Sequence, residues 1–593
     1  MADTAHGGQP PAARGPHACR LALKLVDEAL GPVCRTVIAC LVDHGIQQYG
    51  ELVRSSGLPA AQLRAALLVL IQHNYVNCYL KEEPPTLRGP GPSYHVYEAA
   101  LPRILQSLRV PRFLTHIADE LGQESVRLIH NLLEHGHLRW DQLLKAVCSE
   151  AAEEGGEEEA PPDPEILANK FRSLVLERYV ERAPPCNLPP PTQQVHPNAR
   201  KRKAAPKPGS EEEADLQREQ SEAQQRQAYQ EVRFQLSADL GGDAALIGSE
   251  AAAEKQAGKR KRGKDAAGEE PSKKRGRKKA GDAAQAAADT PAAAAGGASG
   301  KSSGAGAGGK EEEPVLWRVN YDEFNRRFRN DIIVSTVKLK YGVEAGQAVR
   351  GLLLANARFE QAAHTDETVV LSVSDASGAL RRTADKDVPD NIGIVLAELS
   401  EDVMCFLESR GQGPGGEQFV LHIPRILDVA RLLELQAVVK NKFGPHGMRI
   451  WRLLLLSGQL EQKQVADLAM LTKEDAREKL YGMLKAGYLA LQDVPRTADH
   501  APSRTFYTWR ANAGVAKARM ASDLYRAAGN LHARLAHEMS KKEELVQLLE
   551  GPSVASHVLE RREQEIVALR AVTTRLEASL LDLDAQIMLF NDV

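Results

Sequence analysis

In the stretch Leu70-Ile71-Gln72-His73-Asn74-Tyr75-Val76 a helical hydrophobic period gives way to a strand-like one. Upstream, Leu63, Leu67, Leu70 and Ile71 fall on one face at helical spacing, the stripe an amphipathic helix buries. Downstream, Val76, Cys78 and Leu80 alternate with Tyr75, Asn77 and Tyr79, which predicts a strand, and Tyr94 to Tyr97 supplies a second strand after a Pro/Gly-rich connection. Further upstream, Val33, Val37, Ile38 and Leu41 mark an opening helix that closes at His44-Gly45. A short helix around Tyr49 to Arg54 leads to the Gly57-Leu58-Pro59 turn.

The same junction recurs as Leu174-Val175-Leu176-Glu177-Arg178-Tyr179-Val180 and as Met483-Leu484-Lys485-Ala486-Gly487-Tyr488-Leu489. Opening helices precede each, at Leu128 to His135 and Ile450 to Leu456. The second unit adds helices at Trp140 to Val147 and Pro164 to Glu177; the last adds Gln464 to Ala469 and Lys473 to Leu484. A repeated order outweighs any single hairpin, and three helices followed by a hairpin are the winged-helix plan. A less regular unit lies between, with helices expected at Tyr321 to Arg329, Asp331 to Tyr341 and Ala345 to Ala357 and strands at Val369 to Val373 and Phe419 to Leu421. Its junction lacks the Tyr-Val signature.

Beyond Trp509 the pattern is continuous helix with a heptad seam of Ile566, Leu569, Leu576, Leu580, Leu583, Ile587 and Phe590, broken by Thr573. Such a seam needs a partner, and the helix from Ala511 to Leu549, turned at Gly551-Pro552, is the intrachain candidate for an antiparallel coiled coil. The fold class is therefore mainly α with small β wings: tandem winged helices and a C-terminal antiparallel coiled coil. The expected domains are 17–100, 101–183, 314–425 and 426–511 as winged helices and 512–593 as the coiled coil.

Residues 184–313 alternate Pro, Gly/Ala and charge runs without a hydrophobic period and are expected to be a disordered linker. Ala151 to Pro162 is a shorter acidic interruption, and Gly411 to Gly416 reads as a loop. Basic clusters in the linker, among them Lys201, Arg202 and Lys203, Lys259 to Lys264, and Lys273, Lys274, Arg275, Arg277, Lys278 and Lys279, suit nuclear import or a flexible phosphate-seeking arm. A merely solvated linker is the plain alternative.

The chain of 593 residues is too long for one core, and its 76 Lys and Arg nearly balance 79 Asp and Glu, so whole-chain charge predicts no partner. Seven cysteines without a C-x-x-C pair argue against a zinc site or a disulfide framework and for a reducing compartment. The polar start, Met1 to Pro16, and the lack of a long apolar run predict a soluble intracellular protein without membrane contact.

Glu461-Gln462-Lys463-Gln464-Val465-Ala466-Asp467-Leu468-Ala469-Met470 is similar to the last winged helix of the TFIIE-alpha-related subunit family of RNA polymerase III. The segment Pro495-Arg496-Thr497-Ala498-Asp499-His500-Ala501-Pro502-Ser503-Arg504-Thr505-Phe506-Tyr507 resembles that family's wing. Weaker likeness extends over Cys19 to Tyr79, Leu105 to Phe113 and Trp317 to Val337, whereas the acidic insert, the Ala/Gly-rich linker and the third unit depart from the pattern. The resemblance implies four winged helices related to those of TFIIE and a coiled coil docking on the clamp of the largest polymerase subunit. It also implies a heterotrimer with two polymerase-III-specific subunits that helps recruit TFIIIB and open promoter DNA.

Winged helices meet DNA through the third helix and the wing, so the exposed polar residues there are the candidates. They are Gln62, Arg64 and Lys81 in the first unit and Lys473, Arg477, Lys479, Lys485, Arg496, His500 and Arg504 in the last. Arg326, Arg327, Arg329, Lys338, Lys340 and Arg350 make the third unit the most basic. Solvated faces or contacts to other subunits are the competing use. No third helix carries an Arg and Asn set for bidentate base reading, so weak, largely sequence-independent phosphate contact with promoter DNA is expected. His44, His135 and His137 read as helix-end residues rather than metal ligands. No P-loop, H-E-x-x-H, nucleophile elbow or D-x-D-x-D triplet occurs, so neither catalysis nor a cofactor is expected. A free-standing winged-helix DNA-binding factor and a pure scaffold are the alternatives to the polymerase subunit.

Overall fold

The computed structural model describes residues 15–82, 92–154, 163–189, 211–236, 240, 315–360, 365–382, 391–413, 415–495, 505–550 and 562–592. Nearly all of these lie in one compact unit, residues 1–235 with 316–593; of the second, 236–315, only Leu236, Leu240 and Val315 are described.

The first winged unit comprises α1 (Pro16–His44), β1 (Gln47–Gln48), α2 (Tyr49–Ser56), α3 (Ala60–Gln72), β2 (Val76–Glu82) and β3 (Ser93–Ala99), its strands ordered β1-β3-β2. Val37, Ile38 and Leu41 of α1 and Leu63, Leu67 and Leu70 of α3 are buried together. Each such side chain contributes roughly 1.5–3 kcal/mol by leaving water. The second unit follows as α4 (Leu101–Gln106), α5 (Val110–Leu121), α6 (Gln123–His135), α7 (Trp140–Glu154), α8 (Pro164–Leu176) and β4 (Val180–Arg182). Its partner strand β5 (Trp317–Val319) pairs Val180 with Val319 and Arg182 with Trp317. Between these strands lies α9 (Glu211–Val232).

The third unit has α10 (Tyr321–Tyr341), α11 (Val343–Asn356), β6 (Leu371–Ser372), α12 (Val373–Arg382), α13 (Ile392–Ser400), β7 (Leu407–Gly413) and β8 (Gly416–Leu421), in sheet order β6-β8-β7. The fourth has α14 (Ile423–Ser457), β9 (Gln459–Glu461), α15 (Gln462–Leu468), α16 (Lys473–Lys485), β10 (Leu489–Pro495) and β11 (Thr505–Ala511), in order β10-β11-β9.

Three backbone devices recur in all four units. A glycine joins a leading helix to the first helix of the unit: Gly31 (φ 83°, ψ 176°), Gly122 (89°, 177°), Gly342 (99°, 175°) and Gly444 (75°, −176°). That region of backbone space is accessible essentially to glycine alone. The residue before the second helix donates its N–H to a side-chain oxygen three residues on: Gln48 to Glu51, Arg139 to Gln142, Ser372 to Asp375 and Glu461 to Gln464, at 3.0–3.2 Å. A left-handed residue followed by a buried or half-buried ring leads from the third helix into the wing: Asn74-Tyr75, Arg178-Tyr179, Cys405-Phe406 and Gly487-Tyr488. The third unit thus carries the junction with Phe in place of Tyr.

Several sequence expectations are corrected. The helix break at Asn330 does not exist: α10 is continuous, because neither Gly nor Pro interrupts it. The middle and third helices of that unit lie downstream, in α12 and α13, and Val373 opens a helix because Ser372 and Asp375 cap it. Gly411 to Gly416 belongs to the β7–β8 hairpin rather than to a loop, with Gly413 opposite Gly416. The stretch read as a disordered linker contains α9, a run of Glu, Gln, Ala and Arg free of Gly and Pro. Its end is anchored: the Tyr229 hydroxyl donates to the Arg182 carbonyl at 2.8 Å, and Arg233 pairs with buried Glu181. The segment 184–313 is therefore inserted within the second unit's wing, between β4 and β5.

The chain closes with α17 (Ala513–Lys541), α18 (Glu543–Glu550), α19 (Glu563–Ile587) and a π-turn, Met588–Asp592. Leu545 of α18 meets Ile566 and Leu569 at the start of α19, while Leu524, Tyr525 and Ala528 of α17 share a core with Leu580 and Ile587 at its end, so α17 and α18 together run antiparallel to α19. Ile566, Leu569, Leu580 and Ile587 are buried; Leu576, Leu583 and Phe590 are half-buried. That second core also includes the first and fourth units.

Candidate nucleic-acid interface

The third helix of each unit is the element a winged helix offers to DNA, and the four differ sharply. On α3, Leu68 is 69% and Val69 38% exposed; on α8, Leu176 is 61% exposed; on α13, Ile394 is 60% exposed. Arg64 is exposed on α3 but leans on Tyr49, donating from Nε to its hydroxyl at 3.3 Å. These three faces offer much apolar surface, which suits protein contact better than a phosphate backbone.

Of the four, α16 presents a row of exposed cations. Thr472 caps the helix by accepting from the Asp475 N–H at 3.1 Å, and Lys473, Arg477 and Lys485 are exposed. Arg477 stands 5.9 Å over the Tyr481 ring, itself exposed. Lys479 is half-buried and paired with Glu478 at 3.0 Å, and Glu474 lies beside Lys473, so the net positive charge is modest. The face has the reach for phosphates and lacks a base-reading set. The wing formed by β10 and β11 exposes Phe506 and Tyr507; Arg496, His500 and Arg504 lie outside the described residues.

In the first unit Lys81 is exposed on β2, opposite Tyr94. In the third, Lys338 and Lys340 are exposed at the end of α10, with the Lys340 ammonium 5.1 Å and 5.2 Å from the rings of Tyr341 and Phe406.

Arg326 and Arg327 are corrected, since the structure commits both to internal pairing. Arg326 is buried against Glu323, with Glu360 at 3.6 Å. Arg327 reaches Glu120 at 2.9 Å, Glu177 at 2.8 Å and Glu323 at 2.9 Å, and stands 4.4 Å over the Tyr179 ring. Burial opposes its charge, but Tyr179, Glu120 and Glu323 hold its pKa above the usual guanidinium value. Arg329, buried, pairs with Glu360 at 2.9 Å. The helix buries more of its circumference than a one-sided surface helix, so its arginines turn inward to carboxylates of the second and third units. The nine nuclear-import candidates, Lys201, Arg202, Lys203, Lys273, Lys274, Arg275, Arg277, Lys278 and Lys279, lie outside the described residues.

A second group, unforeseen from sequence, organises these surfaces. Arg109, 1% exposed, donates to Asp584 at 2.7 and 2.9 Å, to Asp592 at 2.8 Å and to Asn325 at 2.6 Å. Asn74 accepts from Arg318 at 2.8 Å and contacts His137 Nε2 at 2.7 Å, joining the first unit to the second. His137 is depressed to about 4 by burial, then by Arg318 and His73, so its neutral ring donates to Asn74. The sequence signal for Asn74 was its place before the aromatic of a recurrent junction, and Arg178 at the next junction likewise reaches the third unit, donating to the Glu360 carbonyl at 2.7 Å. Among the described residues no cluster of His, Cys, Asp or Glu suits a metal ion, and no helix is long and apolar enough to cross a membrane.

Comparison with known proteins agrees with this architecture. Residues 20–81 match the helix-turn-helix domain of RNA polymerase III subunit RPC82, residues 169–391 match the RNA polymerase III subunit RPC82 family, and residues 435–511 match the POLR3C C-terminal winged-helix domain. DNA-directed RNA polymerase III subunit RPC3 of Danio rerio is 27% identical over 544 residues, covering 89% of this chain and 86% of the relative. The human RPC3 is 25% identical over 572 residues, covering 96% and 91%, and that of Dictyostelium discoideum is 22% identical, covering 89% and 93%. With its winged units matched in order along nearly its whole length, the chain belongs to the RPC82/RPC3 family of RNA polymerase III subunits.

Proposed function

We propose that this chain acts in transcription initiation as a non-catalytic nuclear subunit of RNA polymerase III. Its winged helices serve mainly assembly, with weak, sequence-independent DNA contact through α16 and its wing. The observation that carries this reading is the contrast among third helices: α3, α8 and α13 expose apolar side chains, whereas α16 exposes Lys473, Arg477 and Lys485. The apolar faces suit the two other polymerase-III-specific subunits and TFIIIB. The pair α17 and α19 serves as the antiparallel coiled coil that docks on the clamp of the largest subunit. Lys81, Lys338 and Lys340 are further points where promoter phosphates can be met during opening. The basic stretches between 200 and 280 support nuclear import.

A free-standing regulator is disfavoured by the relatives' names and by the lack of a base-reading helix. The test is a titration of the purified chain with promoter duplex and with random duplex of equal length across a salt series. Affinities within a few-fold of each other, falling steeply with salt, support the subunit reading. A specificity ratio on the order of 10³ or more would restore the regulator. Failure to bind either duplex at low salt would leave a pure scaffold.

A further inference from the structure

Cys78 lies on β2, paired across the sheet with Tyr97, and Cys186 lies four residues beyond the end of β4. The two segments are held together by the backbone, where the Leu80 N–H donates to the Leu188 carbonyl at 3.1 Å. Each cysteine precedes its partner in that bond by two residues, which brings the two free thiols within interaction range of each other. Cys186 is exposed and Cys78 half-buried, so an oxidant reaches the first more easily. We propose that Cys78 and Cys186 are a peroxide-sensitive pair that closes to a reversible disulfide, stapling the first unit's wing strand to the segment that leaves the second unit's wing.

The chemistry balances with a peroxide as the oxidant. The Cys186 thiolate attacks one oxygen of hydrogen peroxide, the O–O bond breaks, and the departing hydroxide takes a proton to become water, leaving a sulfenic acid. The Cys78 sulfur then attacks the Cys186 sulfur, its proton going to the hydroxide that leaves as a second water. Two thiols lose two electrons and one peroxide gains them. The arrangement favours this order: Cys186 is the exposed thiol, and its interaction with Cys78 lowers the Cys186 pKa, desolvation acting the other way, while raising that of Cys78. The disulfide closes a loop of roughly a hundred residues, which restrains the chain leading to α9. Cellular thiols reverse it, as befits a regulatory bridge rather than a structural one.

The test uses the full-length chain, treated with hydrogen peroxide, blocked with N-ethylmaleimide, digested without reduction and analysed by mass spectrometry. The expected result is one dominant linked pair joining the Cys78 and Cys186 peptides, lost on dithiothreitol treatment. In C78S, the Cys186 sulfenic acid accumulates and is trapped by dimedone. The proposal is overturned if both thiols remain fully alkylated, if Cys186 passes to the sulfinic acid without a linked peptide, or if pairs with Cys34 or Cys405 are as abundant.

Discussion

Arg109 and Asp584 stand 475 residues apart in the chain and meet in a buried two-point pair, Nε to Oδ2 at 2.7 Å and Nη2 to Oδ1 at 2.9 Å. The arginine closes the turn between α4 and α5 of the second unit, and the aspartate belongs to α19, so this pair with Asp592 and Asn325 fastens the C-terminus to the second unit and to α10 of the third. Burial disfavours the guanidinium charge, yet Asp584 and Asp592 more than offset that, and its pKa rises.

Arg109→Ala leaves two carboxylates without their cation in a dry site and is expected to destabilise the chain by about 3–5 kcal/mol. Replacing the pair together, as R109M with D584L, is expected to recover much of that loss. Chemical denaturation of the three variants checks it; equal stability of R109A and the parent would show that the pair holds nothing.

Gly342→Ala is expected to cost about 1–3 kcal/mol, from backbone strain alone, since nothing stands within 4 Å of the added carbon. Gly136→Ala is a different case. Its Cβ would lie 2.0 Å from the Gln72 carbonyl oxygen, so the first and second units must move apart. Hydrogen exchange is expected to show local loosening around α10 and α11 for G342A, and around Gln72 and Gly136 for G136A.

Stability is expected to fall as pH drops. His137 has a folded pKa of about 4, below the ordinary 6.5, so its neutral form is the one the fold stabilises. Its contribution is complete above pH 6.5 and is lost as the pH falls toward 4. Melting temperature against pH should therefore slope less steeply over that window in His137→Gln than in the parent; an unchanged slope would remove His137 from the account.

Reversing charge at Lys473, Arg477 and Lys485 together is expected to weaken duplex binding equally for all sequences. The slope of log affinity against log salt should shrink by about 0.9 for each phosphate that is no longer neutralised. Substituting Arg327 is expected to lower stability instead, since it faces Glu120, Glu177 and Glu323.

Helix and strand order in the first and fourth units was legible because hydrophobic period, caps and turns agree there, as in Gln48 with Glu51 and Glu461 with Gln464. The third unit was harder. Its junction replaces Tyr with Phe406, and its middle helix begins within the run Val369 to Val373 that reads as a strand. The return of β5 to β4 was invisible to local pattern, since well over a hundred residues separate them and strand pairing carries no sequence signal across such a gap. The basic residues of α10 misled for a related reason: composition reports charge, and only the tertiary fold shows that Arg326 and Arg327 direct it to carboxylates.

Affinity purification of the tagged chain from nuclei, with quantitative mass spectrometry of what accompanies it, tests the polymerase-subunit reading most directly. Recovery of the large RNA polymerase III subunits in equal amounts with the chain is the expected result. Recovery of the chain alone, or with chromatin but without polymerase, would contradict it.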